Sequence, residues 1–146
     1  MNLIQNIFHA LTQVHPPHML IVHFPIALTG TALFFILLAI WRRNKILEQV
    51  AFADLSLAVV SIVICAIFGI RYNIVFYSGG APNHVAKIIL ASILFIFTAI
   101  TAVARWNKKD LFYSRSTKAL YVAAYFVSFA IASVLGFLGG VILFGM

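Results

Sequence analysis

Histidine is rare inside membrane spans, yet the stretch HPPHMLIVHFPIAL, residues 15–28, places His15, His18 and His23 at the mouth of an apolar run. A further histidine, His84, opens a second apolar run. An ionisable group in a bilayer is costly enough to be a functional suspect by default. Imidazoles arranged this way offer two chemistries. Two neutral rings on opposite faces of a porphyrin iron make a six-coordinate b-type haem. Alternatively His15, His18 and His23 gather one Zn²⁺ or copper ion, both of which accept imidazole.

Which chemistry is open depends on the elements that carry these residues. The chain has 146 residues, 64% of them hydrophobic, with 10 Lys and Arg against 3 Asp and Glu. A soluble domain of this size cannot hide that much apolar surface. A bilayer core of about 30 Å needs about 20 apolar residues per helix, and four such runs fill most of the sequence. They are expected at about Met19–Trp41, Val50–Arg71, His84–Trp106 and Ala119–Phe144, with Asn83 as the N-cap of the third. Residues 72–83, YNIVFYSGGAPN, read as a loop because of Gly79, Gly80 and Pro82. Ahead of the spans, Leu3, Ile4, Ile7, Phe8, Leu11 and Val14 fall on one helical face. The reading is therefore an interfacial amphipathic segment over 1–17, carrying a solvated His9, and a transmembrane domain over 18–146. The fold class is all-α, an up-down-up-down four-helix bundle, since short links make successive helices antiparallel neighbours.

Charge sets the orientation. The first and third links and their flanks hold Arg42, Arg43, Lys45, Arg105, Lys108, Lys109, Arg115 and Lys118, leaving only Arg71 and Lys87 for the opposite side. The expected location is a bacterial inner membrane, with both termini outward and Trp41 and Trp106 as inner aromatic anchors. The basic excess of +7 is then an address rather than a nucleic-acid surface.

Under that topology His23 and His84 lie at the outer ends of diagonal helices, the placement needed to grip one haem b from both faces. They are the candidate axial, metal-binding ligands. His18 is the second choice for either role, or a hydrogen-bonding partner of a ligand. Arg71 and Lys87 are the outward cations for the anionic propionates. The fourth span carries small residues at Ala124, Ser128, Ala132, Gly136 and Gly140, and Gly136 and Gly140 leave room at the level of the histidines. Phe24, Phe76 and Tyr77 are available to close the pocket. The plainer reading of the same stripe is helix packing. The three-histidine ion site lacks any outward carboxylate or thiol, because Glu48, Asp54 and Asp110 all belong to the inner side. Asp54 is expected to pair with Arg42, Arg43 or a basic group of the third link. Cys65, the single cysteine, reads as a packing residue. No nucleotide motif, HExxH or nucleophile with a base occurs, so a catalyst acting alone is not expected.

The run HMLIVHFPIAL resembles the HPxxVHFPIAL signature of DUF2231, a family of predicted bacterial four-span membrane proteins. NHVAKIILASILF is similar to that family's histidine-bearing start of the third span, and GFLGGVILFG to its closing glycine pattern. The family's proline after the first histidine is replaced here by Met19, with prolines earlier at Pro16 and Pro17. The resemblance implies four spans and singles out His18, His23 and His84. It brings no activity.

The functional expectation is a small membrane-bound cytochrome subunit with one bis-histidine haem b near the periplasmic face, working in electron transport. Its partners would be the lipid bilayer, other subunits of a membrane electron-transfer complex, and a periplasmic electron carrier or quinone. The rival is a cofactor-free accessory subunit of a respiratory or photosynthetic complex.

Overall fold

The computed structural model describes residues 2–5 and 21–144. Most of the expected interfacial segment, with His9, His15 and His18, lies outside the described residues. Among the described residues, four helices long and apolar enough to cross a membrane follow one another. They are α1 (His23–Arg42), α2 (Lys45–Tyr77), α3 (His84–Asn107) and α4 (Lys118–Phe144). α1 packs on α2 and α4, and α3 packs on the same two. The helices therefore form a ring in which α1 and α3 are diagonal.

Each helix buries one narrow stripe at three- and four-residue spacing. α1 buries Pro25, Thr29, Ala32, Ile36 and Ala39; α2 buries Glu48, Ala51, Leu55, Ala58 and Ile62. α3 buries Leu94, Thr98, Thr101 and Arg105, and α4 contributes Tyr121, Ala124, Tyr125, Ser128 and Ala132. Most of these are small. In lipid, apolar side chains gain little by meeting each other, so close backbone approach decides which face turns inward. The buried threonine and serine hydroxyls do not cross between helices. Thr29, Thr98 and Ser128 donate back to the carbonyls of Pro25, Leu94 and Ala124, which satisfies them within their own helix.

The links explain the boundaries. α1 ends where Arg43 turns left-handed at φ 50°, and Asn44 then starts α2 by accepting from the Ile46 N–H at 2.8 Å. Pro25 sits in the first turn of α1, where its missing N–H costs nothing and causes no kink. The α3–α4 link does more than span a gap. Its Phe112 is only 4% exposed and plugs the core beneath Ile36, Leu55 and Tyr121.

Two expectations change. Residues 72–77 are helical, not loop, so α2 runs about two turns further than its hydropathy profile implied. No breaker occurs before Ser78, which closes the helix at φ 49° with Gly79 following at φ 84°. Asn83 does precede α3, but at φ 56° and without a side-chain cap. The α3 start is held instead by the Ala81 carbonyl, which accepts from the His84 N–H at 3.2 Å.

Candidate functional site

His84 is half-buried in the first turn of α3, and its Nδ1 lies 2.7 Å from the Ala81 carbonyl oxygen. A carbonyl only accepts, so Nδ1 carries the hydrogen, and in the neutral ring Nε2 is then the nitrogen that presents a lone pair. This is how proteins prepare a histidine to ligate a metal. The carbonyl is fixed in turn by Asn73 near the end of α2. Its Oδ1 accepts from the Ala81 N–H at 2.9 Å, its Nδ2 donates to the Gly79 carbonyl at 3.3 Å, and its own carbonyl accepts from the Gly79 N–H at 3.0 Å. One side chain thus ties down the link that orients His84.

The other expected residues gather at the same end of the bundle without bonding to each other. His23 opens α1, diagonal to α3, with its side chain exposed. Lys87 is half-buried one turn after His84, and Arg71 is exposed on α2. Nearby on α2, Tyr72 meets Phe76 at a tilt and Tyr77 edge-on, at centroid distances of 4.7 and 5.8 Å. The small-residue stripe divides in two. Ala124, Ser128 and Ala132 are buried in the helix contacts. A methyl added to Gly136 would come within 2.5 Å of the Ile26 Cδ1, so α1 already covers this glycine. Among the described residues, a methyl on Gly139 or Gly140 would meet nothing within 4 Å. Within the stripe, the open positions among the described residues are therefore in the last turns of α4.

Among the described residues no group of three His, Cys, Asp or Glu side chains comes together. His15 and His18, two members of the alternative ion site, lie outside the described residues.

The basic end holds a polar cluster that sequence reasoning missed. Glu48 in the first turn of α2 is 1% exposed and receives both Nε and Nη2 of Arg105, at 2.6 and 2.8 Å, from the last turns of α3. Tyr121 of α4 donates to Glu48 Oε1 at 3.1 Å. Its single proton is then used, so Tyr125, 2.7 Å away, donates to the Tyr121 oxygen. Three helices are joined through one carboxylate. The carboxylate's field also reaches the link: the Tyr113 phenol is pushed up, first by partial burial and then by the Glu48 charge. The anticipated ion pair of Asp54 is not formed. Among the described residues, Arg105–Glu48 is the ion pair present. Asp54 stands half-buried on α2 just off the stripe that carries Glu48 inward. The signal was available in the spacing, since Glu48 continues the row 51, 55, 58 and 62, and Arg105 the row 94, 98 and 101.

The family described as "Predicted membrane protein (DUF2231)" matches residues 14–145, nearly the whole chain. The chain belongs to this family. Neither the curated proteins nor the solved structures compared with it give a match. DUF2231 membership agrees with four apolar helices and a multi-pass membrane location. The three stretches that carry the likeness to DUF2231 also share a place. VHFPIAL forms the first turns of α1, NHVAKIILASILF forms the first half of α3, and GFLGGVILFG closes α4. All three lie at the histidine end, away from the Glu48–Arg105 pair.

Proposed function

We propose that this chain is a small b-type cytochrome subunit that holds one haem between His23 and His84 and passes electrons within a larger membrane complex. The observation that carries the reading is the His84 ring itself. Its Nδ1–H is engaged on the Ala81 carbonyl, which leaves Nε2 as the only ring nitrogen with a lone pair. His23 stands at the same end on the diagonal helix and would be the second residue to hold the haem. Arg71 and Lys87 would neutralise two propionates, and Gly139 and Gly140 leave α4 without side-chain bulk beside them. When bound, haem supplies one-electron redox chemistry, and the chain sets the ligand identity and polarity that tune it. In this reading the histidine end faces the periplasm of a bacterial inner membrane with both termini outward, an orientation supported by the excess of Lys and Arg at the other end.

The test is a dithionite-reduced minus air-oxidised visible spectrum of detergent-purified protein. Sharp α and β bands of low-spin haem b are the expected result, lost in His84→Ala. A haem spectrum that survives His84→Ala overturns the ligand assignment.

A second reading is a cofactor-free accessory subunit. It is favoured by one observation: most of the small-residue stripe on α4 is consumed in packing against its own bundle. Protein that purifies colourless, together with larger subunits, would establish that role instead.

A further inference from the structure

At the end opposite the histidines a cleft of about 330 Å³ opens between α2 and α3, lined by Phe52, Arg105, Trp106 and Lys109. Its charged floor is Arg105, which is 8% exposed. A guanidinium has five N–H groups, and Glu48 takes one from Nε and one from Nη2. The others remain to donate. The walls are aromatic. The Arg105 Cζ lies 5.5 Å from the centroid of the Phe52 ring, and that ring is 6.5 Å from the Trp106 ring. At the rim stands Lys109, exposed and without an ion-pair partner among the described residues. Glu48 neutralises Arg105, so the net charge of the cleft is that of Lys109.

We propose that this cleft binds the phosphate of an anionic phospholipid headgroup. Trp106 is 74% exposed at the end of a span, which is the headgroup level where amphipathic rings settle. Basic pockets between membrane helices at this depth bind anionic headgroups. The free Lys109 amine supplies the attraction, the remaining N–H groups of Arg105 supply directed donors, and Phe52 and Trp106 flank the glycerol. One turn deeper than Trp106, Val103 is 58% exposed and offers an apolar bed for an acyl chain. Inorganic phosphate presents the same oxygens, but it has no use for two aromatic walls or for Val103. The site is independent of the haem reading.

The test is native mass spectrometry of the detergent-purified full chain with equal amounts of phosphatidylglycerol and phosphatidylcholine. Phosphatidylglycerol is retained preferentially. Lys109→Ala lowers its retention about fivefold, the equivalent of about 1 kcal/mol per basic residue at a membrane surface. Trp106→Ala lowers it as well, and Val85→Ala, at an exposed position at the far end, leaves it unchanged. Lys109 and Trp106 are both exposed, so neither variant threatens the fold. Equal retention of the two lipids by the wild-type chain overturns the proposal, as does unaltered selectivity in Lys109→Ala. Displacement of phosphatidylglycerol by millimolar inorganic phosphate assigns the cleft to a soluble phosphate and overturns the lipid assignment.

Discussion

At the basic end, Glu48, Arg105, Tyr121 and Tyr125 are closed in beneath Phe112, Ile36 and Leu55. At the histidine end, His23 and Phe24 are exposed, and near the end of α4 a methyl added to Gly139 or Gly140 would meet nothing among the described residues. The contrast shows how so small a bundle divides its work. A buried ion pair loses its hydration and survives only when geometry and extra hydrogen bonds compensate. Here the bidentate fork and the tyrosine chain do so, and they fix the relative positions of α2, α3 and α4. The opposite end has few buried side chains among the described residues, and local opening is easiest where burial is sparse.

Removing one partner of the pair should break this contrast most severely. Glu48→Ala leaves Arg105 as an uncompensated buried charge and is expected to cost about 3–5 kcal/mol. Unfolding in mixed detergent would measure it. Replacing Glu48 and Arg105 together by Met and Leu should recover most of the loss, because paired apolar residues of similar volume avoid desolvation altogether. A double variant as unstable as the single one would mean that the pair is not the clamp of this end.

Asn73→Ala comes next. It deletes two side-chain hydrogen bonds to the 78–81 link, each with a net value of about 1 kcal/mol. The loss should appear as faster amide hydrogen exchange at Gly79 and Ala81, with exchange around Glu48 unchanged. If the haem reading holds, the same variant weakens haem retention without abolishing it, because His84 stays but its orienting carbonyl loosens.

The smallest effects separate two glycines on one helix. Gly136→Ala must displace the end of the Ile26 side chain and should cost about 1 kcal/mol. Gly140→Ala meets nothing and should be neutral, or stabilising by up to about 1 kcal/mol through helix propensity. Equal thermal stability of these two variants would erase the distinction between the packed and open parts of α4.

The four spans were legible in the sequence because a run of about 20 apolar residues has few stable states other than a helix across a bilayer. Their order followed from short links, and the histidine end followed from where His23 and His84 fall in that order. Residues 72–77 misled because Tyr72 and Asn73 carry polar groups next to a Gly-Gly pair. Only in the folded chain is Asn73 seen to use its polarity to hold the link while remaining helical. Arg105 misled for a different reason. It was read as one more inward charge, when it is the charge the bundle buries.

What the sequence determined by itself is what depends on local composition: membrane residence, the number of helices, their alternation, and the end at which the histidines lie. The tertiary structure alone decided which acid meets which base. Asp54 and Glu48 are equally charged and six residues apart, but the helical phase set by small-residue packing turns Glu48 toward Arg105, 57 positions along the chain. It also decided that α1 covers Gly136 and leaves Gly140 bare. Both outcomes depend on the close approach of separate helices, and no single stretch of sequence contains that distance.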